Sequence, residues 1–179
     1  MATTPAKLMT FAEFEVLPNP PAGRYELLNG ELVLVPPAIY RHFMKLQRLR
    51  ELLQQAAGVA GKAYTEVPMK PRAEYEWFQV DVAYATVERW AAPDPDGHFL
   101  GSPELVIEVL SPSNRPRRIA HKRKTCLGTG AREFWVVDMD KRTVEVSTPD
   151  GRSVTYKSGE QIALFFAPGA HLAVDATFA

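Results

Sequence analysis

The sequence predicts one α/β domain, closer to α+β, in which helices flank a mixed central sheet behind an N-terminal helix and β-hairpin. Three observations predict it. An Asn29-Gly30 pair separates two apolar-rich runs, residues 40–57 carry a helical apolar stripe, and residues 104–110, once past Glu104, are apolar on both sides except at Glu108, just before a second helical pattern. With 179 residues, 46% apolar and 23% charged, residues 1–179 make one ordinary core and leave little for a second.

The elements follow in order. Thr10-Phe11-Ala12-Glu13 has capping-box spacing and opens a short helix carrying Phe11, Phe14 and Leu17, which Pro18 stops. The Asn-Gly pair then predicts a hairpin over 24–35, with Glu26 opposite Val33, ended by Pro36 and Pro37. In the 40–57 helix, His42, Leu46, Leu49 and Leu53 share one stripe, which places His42 on the core-facing side. Strands are predicted at 63–69 and 78–84, followed by a Pro-, Asp- and Gly-rich loop over 91–101. The 104–110 run reads as a strand covered on both faces, hence mid-sheet. A helix over 117–127 ends at Gly128-Thr129-Gly130, and strands follow at 133–137, 143–147 and 153–156, the last two joined through Pro149-Asp150-Gly151.

Composition removes several function classes. The single cysteine, Cys126, allows neither an internal disulfide nor a cysteine metal cluster, so any metal is held by oxygen or histidine. No leader-like apolar segment opens the chain, and no run approaches the roughly 18 apolar residues of a membrane span, so a soluble cytoplasmic protein is expected. Lys plus Arg and Asp plus Glu both number 21, so global charge predicts no polyanion affinity. Locally, six Lys or Arg and no acid lie between Arg115 and Lys124. That face is either solvated or a contact for several phosphates, with Arg115, Arg117, Arg118, Arg123 and Lys124 as its candidates. Gly-rich phosphate loops, serine-nucleophile elbows and His-Glu-x-x-His patterns do not occur.

Glu108 is the most informative residue, because an ionised carboxylate within a buried apolar strand costs several kcal/mol unless a cation or several donors meet it. It is therefore either half of a structural ion pair or part of a metal or catalytic site. Asp81 repeats the pattern between Val80 and Val82, on the strand face opposite both valines. Two carboxylates on two strands suit octahedral magnesium. Lys122 shares a helical stripe with Ile119 and Cys126 and so points at the sheet, beside the carboxylates or snorkelling along the helix edge. The other cations of that helix, Arg123 among them, face solvent or phosphate. Glu26 is a third acidic candidate, and His42 is read as a core histidine in preference to a site residue.

Taken together, Tyr25-Glu26-Leu27-Leu28-Asn29-Gly30-Glu31-Leu32, His42, Val80-Asp81-Val82-Ala83, Glu108-Val109-Leu110-Ser111-Pro112-Ser113, Lys122 and Gly130-Ala131-Arg132-Glu133-Phe134-Trp135-Val136-Val137-Asp138 resemble the Uma-two family of restriction-endonuclease-type proteins. The resemblance runs from about Thr10 to Pro168-Gly169. It implies the PD-(D/E)XK nuclease fold, with Asp81 and Glu108 as magnesium ligands, Lys122 completing the site, and Glu26 and His42 matching the family's early acid and helix histidine. The usual lysine position, two after the Glu, is Leu110 here; residues 108 and 110 share a strand face, so a lysine from the next helix fills the same volume. Three positions depart from the family pattern: Arg118 where Asp is typical, Cys126 where Tyr is usual, and Val80 in place of proline.

The function expected is a Mg2+-dependent endonuclease hydrolysing DNA phosphodiesters, with Mn2+ as a substitute. The rival is a nuclease-fold protein that binds nucleic acid or a protein partner without cutting, and a third reading is a catalytic centre directed by a separate targeting protein. By analogy with restriction-type enzymes, a homodimer is expected.

Overall fold

In the computed structural model, residues 7–92, 97–111 and 115–179 are described. Part of the Pro-, Asp- and Gly-rich loop and the Pro112-Ser113 end of the strand motif lie outside them, as do residues 1–6. Thr10 caps α1 (Phe11–Glu15): its hydroxyl accepts from the Glu13 N–H while Glu13 returns to the Thr10 N–H at 2.9 Å. Asn29 and Gly30 take φ of 51° and 77°, both positive as a two-residue type I′ turn requires, and join β1 (Arg24–Leu28) to β2 (Glu31–Val35). The register puts Glu26 opposite Val33. Gly23, at φ 77°, brings the chain into β1 so close to Val35 that a Cβ there would collide with the Val35 carbonyl.

Helix α2 (Tyr40–Ala57) leads to β3 (Gly61–Met69) and β4 (Glu76–Thr86), followed by the short α3 (Val87–Trp90). Strand β5 (Leu105–Val109), helix α4 (Pro116–Gly128) and strand β6 (Glu133–Asp138) make a strand-helix-strand crossover, so β5 and β6 run parallel; every other pairing among the described strands is antiparallel. β7 (Thr143–Ser147) and β8 (Ser153–Tyr156) extend the sheet to the order β2-β1-β4-β5-β6-β7-β8, with β3 added on β4. A separate pair, β9 (Gln161–Ala163) with β10 (His171–Ala173), and a 3-10 turn at Val174–Thr177 close the chain. These last elements and α3 were not foreseen, being three or four residues long and too short to show a period.

The sheet has an apolar cluster on each face. Leu46, Leu49 and Leu53 of α2 pack with Leu105, Ile107 and Val109 of β5 on one; Ile119 and Cys126 of α4 pack with Val106 and Phe134 on the other. Each of the three α2 leucines is at most 1% exposed, a burial worth about 1.5–3 kcal/mol apiece. Alternation along β5 therefore sends Glu108 to the α4 side. In β4 the alternation slips, and the expectation that Val80 and Val82 share a face is wrong: Val80 joins the α4-side cluster and Val82 the α2-side cluster. The cause lies across the ladder, where Glu66 adopts φ 52° and the regular β3–β4 pairing skips from Thr65↔Val82 to Val67↔Val80. Asp81 sits in that irregularity.

Candidate active site

Strand β4 meets β1 only at Glu76 and Trp77 and meets β5 only from Val82 to Tyr84. Between these contacts, side chains take over the main-chain groups of Gln79. Its N–H donates to Glu26 Oε1 at 3.3 Å, and its carbonyl accepts from Lys122 Nζ at 2.6 Å. The β4–β5 ladder stops one step before Asp81 would face Glu108, because Asp81 Oδ2 accepts the Val109 N–H at 2.7 Å. The break in the sheet thus collects Glu26 from β1, Asp81 from β4 and Glu108 from β5.

Lys122, reaching in from α4, is 3% exposed, and its ammonium lies 3.2 Å from Glu108 Oε1 and 3.3 Å from Glu26 Oε1, above the Phe78 ring. One buried ammonium thus faces two buried carboxylates, of which Glu26 is also met by Arg24, with Asp81 close by. Burial, only partly offset by Lys122 and reinforced by the charges of Asp81 and Glu26, pushes the Glu108 carboxyl up to about 8. Burial works to lower the Lys122 value, but the facing carboxylates outweigh it and hold the ammonium above its ordinary range. Glu26 Oε2 is buried and accepts no hydrogen bond from the described residues.

These groups line a cleft of about 1150 Å³, with His42, Arg24, Arg41 and Arg118 on its walls. His42 is half-buried, with Nε2 3.4 Å from Asp81 Oδ1, and the hydrogen bond to Asp81 raises its pKa. The core placement expected for it is corrected. Its stripe does run on into Leu46 and Leu49, but the first turn of α2 overhangs the cleft instead of the sheet.

The donor set fits a hard divalent cation. It supplies carboxylate oxygens from two neighbouring strands and an orphaned buried oxygen on Glu26. Among the described residues no group of three or more His, Cys, Asp or Glu is arranged to hold a metal ion by itself. Asp81 and Glu108 are the carboxylates of that set that stand on the adjoining strands β4 and β5.

The model of the Uma2 family, described as "Putative restriction endonuclease", matches residues 11–175. The chain belongs to the Uma2 family. A crystal structure of a putative nuclease of DUF820 from Anabaena variabilis aligns with a TM-score of 0.81 at 20% identity, covering 95% of this chain and 97% of that one, so the two share a fold. No curated protein matches.

In this Uma2 chain the basic helix is less uniform than its sequence implied. Arg115, Arg117 and Lys124 are exposed, but of the five named cations only Arg118 lines the cleft. Arg123 does not face solvent or phosphate freely: its guanidinium bonds Glu145 of β7 at 2.9 Å, a partner brought in by the sheet and invisible from the helix alone. Cys126, at the position where the family has Tyr, is fully buried, and burial pushes its thiol up to about 12. Two features were missed. Glu76, fully buried, meets His121 at 2.8 Å. Arg24 reaches Glu26 at 3.2 Å, and its spacing of two from Glu26, which puts both on one strand face, was a readable signal. Among the described residues no helix is long and apolar enough to cross a membrane.

Proposed function

We propose that this protein is a magnesium-dependent endonuclease that hydrolyses phosphodiester bonds of DNA. The observation that carries the reading is the Lys122 ammonium held between Glu26 and Glu108 at the floor of an open cleft, with Asp81 on the adjoining strand. Buried charge of this kind is poor value for stability alone, since an apolar replacement is often neutral or better.

Asp81 and Glu108 would hold magnesium, or manganese on the same oxygen donors, and the chemistry supplied there when it is bound is activation of water and polarisation of the phosphate. The chain's own groups do the rest. Lys122, pinned by Gln79 and Glu26, is positioned to orient the attacking water and to stabilise charge developing on the phosphate. The Val109 N–H and His42 fix the two oxygens of Asp81, which sets the direction of that carboxylate before any substrate enters. Arg118 at the cleft and the exposed Arg115, Arg117 and Lys124 are the contacts proposed for the sugar-phosphate backbone. Pairing of two such centres in a homodimer would let both strands be cut.

The rival reading, binding without cleavage, is favoured by Arg118 standing where the family has an acid. Incubating supercoiled plasmid with the protein in Mg2+ and in EDTA separates the two. Nicking or linearisation in magnesium alone supports the enzyme, whereas retarded but intact plasmid in both supports the binder.

A further inference from the structure

The cations of the cleft are unequally engaged. Lys122 is spent on Glu26, Glu108 and the Gln79 carbonyl, and Lys45 on the Phe178 and Ala179 carbonyls at the chain end. Arg24 differs. Its guanidinium donates from one terminal nitrogen to Glu26 Oε1 at 3.2 Å, while its Nε is buried without an acceptor. Among the described residues, the five N–H donors of this rigid fork meet one carboxylate oxygen. The side chain is only partly exposed, lines the cleft, and lies close enough to His42 for its charge to oppose protonation there. Sequence fixes it in place, because Gly23 lets the chain enter β1 tight against Val35 and the Arg24↔Val35 pairing sets the side chain at the open end of the hairpin.

We propose that Arg24 is a substrate-binding residue of this site, a fork that takes the oxygens of a backbone phosphate next to the one cleaved. The inference rests on the nuclease reading and adds a residue outside the basic helix. The bond to Glu26 aims the guanidinium at the cleft beside the carboxylates, and a phosphate there supplies acceptors to the terminal N–H groups of this partly exposed side chain. Arg24 thus offers the backbone a contact from β1 and Arg118 one from α4, both on the walls of the cleft that holds Asp81 and Glu108.

The competing role for Arg24 is neutralising Glu26. A double-mutant cycle separates the two: Arg24→Gln, Glu26→Gln and the double variant, each titrated without metal against a short fluorescein-labelled DNA duplex by anisotropy at several salt concentrations, with thermal unfolding checking the fold. A phosphate fork predicts that Arg24→Gln weakens binding about tenfold and flattens the salt dependence by about one phosphate's slope, with the same loss in the Glu26→Gln background. Arg24→Lys should recover part of the affinity, retaining the charge and losing the fork. A loss that disappears once Glu26 is neutral, or an unchanged salt slope in folded Arg24→Gln, overturns the inference while leaving the nuclease reading intact. A parent protein that binds no DNA overturns both, and a parent that binds duplex RNA alone transfers the fork to that polymer and refutes its assignment to DNA.

Discussion

Lys122 Nζ lies 3.2 Å from Glu108 Oε1 although the lysine sits on the helix after the strand, 14 residues on. The position two after Glu108, one residue past β5, is Leu110, which is only partly buried and packs at the edge of the α4-side cluster. The cation therefore arrives from α4, with Gln79 and Glu26 as further acceptors that hold it at the break in the sheet.

Removing that cation leaves two buried carboxylates facing each other. Lys122→Met keeps the volume and is expected to cost about 3–5 kcal/mol in urea unfolding at pH 8. The cost shrinks at pH 6, where a proton on Glu108 relieves the repulsion. A loss below about 1 kcal/mol at pH 8 would mean that the three groups are not electrostatically coupled.

The metal-free protein should lose stability as pH rises from about 5 to about 8. Glu108 has a folded value near 8 against an ordinary 4.5, so across that interval the native state binds more protons than the unfolded chain, and unfolding free energy falls with pH. His42 works in the same sense: its value is raised, so the stability it contributes is present below its ordinary 6.5 and is lost as pH climbs through the folded value. Denaturation curves in EDTA at a series of pH values measure the slope, and Glu108→Gln should flatten it. Stability that rises over this interval would contradict the raised values of Glu108 and His42.

Arg118 and Arg123, five residues apart on α4, should behave differently. Arg118→Ala is expected to weaken DNA binding and to reduce the salt slope by about one, with little effect on stability. Arg123→Ala breaks a partly exposed pair with Glu145, costs at most about 1 kcal/mol, and leaves binding nearly unchanged. Filter binding across a salt series, with thermal unfolding of both variants, checks the contrast. Equal losses of affinity would place the nucleic-acid path over the far side of the helix.

Much of this was legible in sequence where the signal is local or periodic. The Asn29-Gly30 turn fixed the hairpin register, the doubly covered 104–110 run exposed Glu108 as an anomaly, and the Ile119, Lys122, Cys126 stripe aimed the lysine inward. What escaped depends on contacts between distant segments. The Arg123–Glu145 and Glu76–His121 pairs need the sheet order, and Lys122 meets Glu26 across 96 residues. The slip at Asp81 arises from a left-handed Glu66 on another strand, a conformation no residue type announces. His42 was misplaced because a helical stripe gives direction but not where the sheet beneath it ends.

The central claim is that Asp81, Glu108 and Lys122 form one metal-dependent cleavage centre. Initial rates of supercoiled-plasmid nicking in excess Mg2+, for the parent protein beside Glu108→Gln and Lys122→Ala, test it most directly. Folding of each variant is verified by circular dichroism, and DNA binding by anisotropy. The expected result is parent nicking that EDTA abolishes, with both variants reduced at least about 100-fold while still binding DNA. Nicking by folded Lys122→Ala or Glu108→Gln at the parental rate would contradict the account.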